Sequence, residues 1–175
     1  MLFDWLERMP VPEGYKAEVV GGAVCFWPQR DAHWHNTIGM VEQLRSAYPR
    51  NRLKSDVRID FPGHLNGFAS DVVAMAEGAT TDDEGRWSCQ DIDFVAEVTS
   101  RETSRNDHGP KKDAYALAGV PVYLIVDPYI GRCYLFTDPK DGTYRLHPAI
   151  AFGGPVDLTR TVVGLTLDTA EFDRG

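Results

Sequence analysis

Two apolar segments decide the architecture: Ile92-Asp93-Phe94-Val95-Ala96-Glu97-Val98-Thr99 and Val120-Pro121-Val122-Tyr123-Leu124-Ile125-Val126. Each is a nearly continuous run of apolar side chains, the pattern of a strand covered on both faces. Pro121 stands at the start of the second run, where proline is tolerated in a strand. Between the two runs, Asn106 to Ala118 reads as a helix bounded by Gly119. A strand–helix–strand unit with so short a path predicts a right-handed crossover, with parallel neighbouring strands and the helix across one sheet face. The fold class that follows is α/β (α+β), with a mixed sheet.

Upstream, Ser70 to Ala76 reads as a strand, and Arg52 to Phe61 alternates enough (Leu53, Val57, Ile59, Phe61) to predict another. The polar, acidic segment from Glu77 to Gln90 reads as a surface excursion. From His33 to Tyr48, the residues Trp34, Ile38, Val41, Leu44 and Tyr48 recur at helical spacing and stop before Pro49. Tyr15 to Val20 and Ala23 to Trp27 predict a hairpin about Gly21-Gly22. The first dozen residues read as a short helical or irregular arm ending in Pro10 and Pro12. Downstream, Cys133 to Thr137 and Thr143 to His147 predict a hairpin across Asp141-Gly142, and Leu165 to Asp168 a last short strand. With no internal repeat, low-complexity tract or long linker, a single domain is expected over residues 1–175, comprising an arm (1–13) and a main unit (14–172).

The composition, 43% hydrophobic and 25% charged over 175 residues, is that of an ordinary globular chain. No apolar run approaches the ~20 residues that span a bilayer. Residues 1–10 carry acids and proline where a signal peptide needs basic and then apolar residues, so a cytoplasmic location is expected. Cys25, Cys89 and Cys133 are odd in number and widely spaced, which favours reduced thiols. A net charge of -8 argues against a protein that coats nucleic acid non-specifically, because that requires clustered Lys and Arg. An enzyme with one local basic patch remains open. The most basic window sets Arg101, Arg105, Lys111 and Lys112 against Glu102 and Asp107, with His108 alongside.

Glu97 is the first candidate for chemistry, since a carboxylate inside a central strand is costly unless paired or metal-bound. Asp71 opens a second apolar strand, and the two acids offer hard oxygen ligands suited to Mg²⁺ or Mn²⁺. On the helix, Asp107, Lys111 and Tyr115 are spaced i, i+4, i+8 and share a face. A lysine delivered there can orient or deprotonate a water and offset phosphate charge. His33 and His35 sit two apart at a helix start, where capping or a phosphate contact is the better reading than metal binding. A Ser100/His108 hydrolase arrangement lacks nucleophile-elbow glycines and a third member.

The ordered set of Tyr15…Glu18…Gly21, His33 opening a helix, Ser70-Asp71-Val72-Val73, Ala96-Glu97-Val98-Thr99-Ser100, Asp107…Lys111…Tyr115, and Gly119-Val120-Pro121 through Asp127-Pro128 resembles the Uma-two family of endonucleases. That family belongs to the PD-(D/E)xK, restriction-endonuclease-like superfamily, and the likeness runs from about Tyr15 to Phe172. It implies a restriction-endonuclease-like mixed β-sheet core flanked by helices, with additional β-hairpins. It further implies that Asp71 and Glu97 bind Mg²⁺ (or Mn²⁺), with a backbone carbonyl near Val98 or Thr99, and that Glu18 completes the acidic cluster. Thr99 occupies the usual lysine position, so the catalytic lysine is expected on the following helix at Lys111, with Lys112 as the less favoured alternative. Ser70 replaces the motif's proline, a change of backbone shape alone. Arg101, Arg105 and Lys112 are expected to meet phosphates of a nucleic-acid substrate, with DNA favoured over RNA. The alternative is a catalytically weak or inactive nucleic-acid- or protein-binding module on the same fold. A homodimer is an expectation by analogy, since two-fold symmetry suits cutting two strands.

Overall fold

The computed structural model describes residues 2–175. Its main sheet runs in the order β10 (Thr143–Leu146), β9 (Arg132–Lys140), β8 (Val122–Asp127), β7 (Ile92–Val98), β6 (Val72–Met75) and β3 (Leu53–Lys54), with β11 (Ala149–Ala151) also on β9. The pair β7 and β8 is parallel, with Glu97 opposite Ile125, and the other pairs are antiparallel. The strand–helix–strand unit at the centre therefore has the geometry expected from its two apolar runs. A second, antiparallel sheet has the order β2 (Ala23–Pro28), β1 (Tyr15–Val20), β5 (Asn66–Ala69), β4 (Arg58–Phe61). A small ladder joins β12 (Val156–Asp157) to β13 (Thr166–Leu167).

Strand alternation divides the core between the two faces of the main sheet. Val72, Ala74, Phe94, Ala96, Val122, Leu124 and Val126 pack against Met40 and Leu44 of helix α2 (Asp31–Leu44). Val73, Val95, Tyr123 and Ile125 point the other way, toward Phe68 of the second sheet and Tyr115 of helix α4 (Lys112–Leu117). Glu97 follows Val95 by two residues, so the same period turns its carboxylate into this second interior.

Two local expectations need revision, and one strand had no counterpart in the sequence pattern. The stretch from Arg52 to Phe61 is two strands, β3 and β4, broken at Asp56, whose φ of 55° is left-handed. The strand β5 carries no period-two signal, because Gly67 sits in its middle. There the glycine makes room: a Cβ at Gly67 would lie 2.5 Å from the ring of Phe3. The helix after Ser100 is interrupted. Helix α3 (Ser104–Asn106) and α4 flank a wide π turn at Asp107–Lys111, with Pro110 inside it. Proline removes an N–H and crowds the carbonyl four residues back, and a widened turn accommodates both. The N-terminal arm is helical, α1 (Leu2–Arg8), and docks on the second sheet. Arg58 lies 4.9 Å over the Phe3 ring, donates to the Phe3 carbonyl and pairs with Glu7 at 2.9 Å. Among the described residues no helix is long and apolar enough to cross a membrane.

Because Gly67 seats the Phe3 ring, Gly67→Ala is expected to lower unfolding free energy by ~1–3 kcal/mol and to expose the arm. Urea denaturation and proteolysis within residues 1–13 check this; an arm as protected as in the wild type would dissociate α1 docking from Gly67.

Candidate active site

The cleft between the two sheets opens beside the C-terminal end of β7. Four elements deliver its charged groups. On β1, alternation puts Lys16, Glu18 and the core residue Val20 on one face. Asp71 immediately precedes β6, Glu97 is on β7, and the π turn supplies Asp107 and Lys111. The link from β7 into α3 is fixed locally: the Ser100 N–H donates to Thr103 Oγ1 (2.8 Å) and the Thr103 N–H to Ser100 Oγ (3.0 Å), a reciprocal cap. Free space within the cleft is about 20 Å³, enough for roughly one water or small ion.

Lys111 is the hub. Its ammonium, 3% exposed, donates to Glu18 (3.0 Å) and Glu97 (2.9 Å) and lies 3.6 Å from Asp107. Glu18, with no exposed surface, also accepts from the Ala69 N–H (2.8 Å) and the Trp27 indole (3.0 Å). Glu97 Oε1 accepts from Lys111 and from the Tyr115 hydroxyl at 2.7 Å; both bonds fall on this oxygen. With its one proton committed to a carboxylate, Tyr115 must accept from Ser70 Oγ, also at 2.7 Å. Asp71 has its own donors: Lys16 at 2.7 Å on Oδ1, with the Val98 N–H at 2.7 Å and His33 Nε2 at 3.0 Å on Oδ2.

Crowding acids in a buried cleft shifts their proton affinities in different directions. Burial pushes Glu97 up to about 8; Lys111 opposes the rise and Asp71 adds to it. Asp107 is raised mainly by burial, against the pull of Lys111. Burial also acts to raise Asp71, but Lys16 and the His33 hydrogen bond outweigh it and hold the carboxyl well below its usual range. Burial works against the Lys111 ammonium, yet Glu18, Glu97 and Asp107 together keep it charged far beyond neutrality. His33 is raised because its hydrogen bond to Asp71 and that residue's charge overcome desolvation. Lys111 thus stays an ammonium, while Glu97 is the acid that can hold a proton near neutral pH.

This acidic, lysine-centred cleft, on a mixed sheet with one parallel pair, coincides with a family match over residues 3–170, to the family described as "Uma2: Putative restriction endonuclease". The chain belongs to the Uma2 family. Its fold is also that of a crystal structure from Anabaena variabilis ATCC 29413, described as "a putative nuclease belonging to DUF820". The TM-score is 0.74 at 14% identity, covering 97% of this chain and 95% of that one. No curated protein matches the chain.

In this Uma2 chain, four residues singled out from the sequence, Glu18, Asp71, Glu97 and Lys111, line one cleft. The three basic residues expected at phosphates lie outside it. Arg101 stacks 5.1 Å over the Tyr129 ring, Arg105 is exposed, and Lys112, 33% exposed, lies 5.9 Å over the Phe136 ring. Lys16 and Trp27 escaped sequence reasoning. The two-residue spacing of Lys16 and Glu18 on a strand was the signal available for Lys16. His33, read from sequence as a cap or phosphate contact, is instead a partner of Asp71. Among the described residues no three His, Cys, Asp or Glu side chains form a ready metal cage. The donor chemistry nevertheless fits a hard cation. Four carboxylates (Glu18, Asp71, Glu97, Asp107) face Lys16, Lys111 and His33. With all four acids ionised, four negative charges against two lysines leave -2, or -1 when His33 is protonated, in a cleft lined by oxygen, and a proton on Glu97 lowers the excess by one more.

Two substitutions separate the hub from its partners. Lys111→Ala strands three buried acids and is expected to lose ~3–5 kcal/mol of stability. Glu97→Gln removes the acid least able to stay ionised, so its unfolding free energy in metal-free buffer should match or slightly exceed the wild type's. Urea titrations at neutral pH measure both, and a Glu97→Gln loss as large as that of Lys111→Ala would contradict this division.

Proposed function

We propose that this Uma2 chain is a metal-dependent endonuclease that hydrolyses phosphodiester bonds of DNA. The observation that carries the reading is the net-negative, buried Asp71/Glu97 cluster with Lys111 pinned beside it, in a chain of a nuclease family. Asp71 and Glu97 would hold Mg²⁺ (or Mn²⁺), assisted by the Val98 backbone, which borders the cleft. When bound, the cation supplies positive charge where negative charge develops on the scissile phosphate. The protein groups do the rest. Glu18 and Asp107 fix the Lys111 ammonium, which donates hydrogen bonds to the attacking water and the phosphate oxygens. A lysine held charged by three acids is a positioning and charge-supplying group and cannot accept the water's proton. His33 and the Val98 N–H orient Asp71, and Tyr115 orients Glu97. Water adds to phosphorus and releases a proton to solvent at the cleft mouth, the bond from phosphorus to the leaving oxygen breaks, and that oxygen takes up a proton from solvent. One water is consumed, with no net change in protons beyond the ionisation of the new phosphate group.

One observation favours a second reading, a binding module that kept the fold without efficient catalysis: both oxygens of Asp71 already have donors. A Mg²⁺ titration divides the two. On the nuclease reading Mg²⁺ raises the melting temperature and starts plasmid cleavage, and both Asp71→Asn and Glu97→Gln abolish each response. Lys112→Ala should keep cleavage but weaken DNA binding and reduce the salt slope by about one. DNA binding without any Mg²⁺ response would leave the module as the function.

A further inference from the structure

The two lysines of the cleft differ in how they are held. Lys111 is enclosed by three acids, all inside the cleft. Lys16, 11% exposed, has one partner inside and one outside: Asp71 Oδ1 at 2.7 Å and Asp56 Oδ1 at 3.6 Å, with the Ala69 carbonyl at 2.8 Å as a pivot. Asp71 Oδ2 is occupied by the Val98 N–H and His33. Oδ1 is therefore the oxygen that a cation can reach by displacing a single bond, that of Lys16. Asp56 is set up to receive the displaced ammonium. Its left-handed backbone (φ 55°) marks the break between β3 and β4, a conformation that Asp adopts more readily than most residues. Its N–H donates to the Ser70 carbonyl (3.0 Å), and Gln29 donates to Oδ2 (3.3 Å), which leaves Oδ1 toward Lys16. At 43% exposure the Asp56 carboxylate is far better hydrated than Asp71.

We propose that Lys16 is the resident counter-cation of Asp71 and that it transfers to Asp56 when a divalent cation binds, so that the Lys16–Asp56 pair sets the cation concentration at which the site loads. This rests on the metal-site reading above. An ammonium and a divalent cation on one carboxylate oxygen repel at short range in a poorly solvated cleft, so the two occupy Oδ1 alternately. The long, flexible lysine stem spans the difference between a bonded 2.7 Å and a waiting 3.6 Å without backbone movement.

The test is a Mg²⁺ titration of the full chain read by melting temperature. Lys16→Met should move the midpoint to about tenfold lower Mg²⁺ or beyond, whereas Lys140→Met, which removes an exposed charge elsewhere, should leave it in place. Asp56→Asn should move the midpoint upward by about threefold, and should add no further shift in a Lys16→Met background, because it acts through Lys16. A Lys16→Met midpoint equal to or above the wild type's overturns the proposal while leaving the metal reading intact. So does an Asp56→Asn shift of the same size in both backgrounds. If neither wild type nor Lys16→Met responds to Mg²⁺, both the proposal and the metal reading fall. Should Lys16→Met not fold, exposed Asp56→Asn decides alone, and an unchanged midpoint overturns the proposal.

Discussion

An ammonium group with 3% exposure, surrounded by Glu18, Glu97 and Asp107, constrains the rest of this molecule. Neither the lysine nor the acids could be buried alone, because desolvating an isolated charge costs several kcal/mol even after relaxation. They can be buried together only if three separate stretches of chain converge. Glu18 comes from the antiparallel hairpin, Glu97 from the central parallel strand, and Asp107 with Lys111 from one π turn. The second sheet therefore has to close over the first at this point. The aromatic packing under the cleft follows the same demand, with the Phe68 and Tyr123 rings against Tyr115, whose hydroxyl finishes at Glu97.

The π turn is where sequence and structure explain each other. The i, i+4, i+8 spacing of Asp107, Lys111 and Tyr115 does put all three on a buried face, at 2%, 3% and 0% exposure. Regular helical periodicity made that legible. It concealed the irregularity at Pro110, which a single-period reading passes over. The widened turn keeps the chain helical through a proline while holding Lys111 on the inner side and Lys112 on the outer. Its location follows a recurring association of π turns with functional sites, and the physical content here is the aiming of one buried ammonium.

How much could be read from residues alone follows element strength. Ile92–Val98 and Val122–Asp127 were legible because two-sided burial writes itself as a continuous apolar run. The hairpin at Gly21-Gly22 was legible because both glycines take positive φ. β5 was not, since Asn66-Gly67-Phe68-Ala69 is buried throughout by contacts from α1 and the first sheet that leave no local period. The site divides in the same way. An acid in an apolar strand, such as Glu97, announces its cost. Lys16 and His33 sit in half-polar contexts, and their significance arises only from tertiary contact with Asp71, some 55 and 38 residues away along the chain.

The net charge of -8 and a nucleic-acid substrate look incompatible until the charge is placed. The cleft itself keeps an excess of carboxylate after both lysines are counted, and it answers that excess internally by letting Glu97 rise toward neutrality. With all its acids ionised, such a site repels a phosphodiester. On the proposed reading, a divalent cation reverses the sign locally, and the exposed guanidinium of Arg105 and the ammonium of Lys112 lie on the adjoining helical segment, outside the cleft. Affinity for the polymer then depends on the cation concentration as well as on the protein's own bases. On that reading an acidic chain acquires a place for an anionic polymer only where its acids have first been neutralised, which centres substrate contact on the cleft and the bases beside it and keeps the remaining acidic surface from binding nucleic acid indiscriminately.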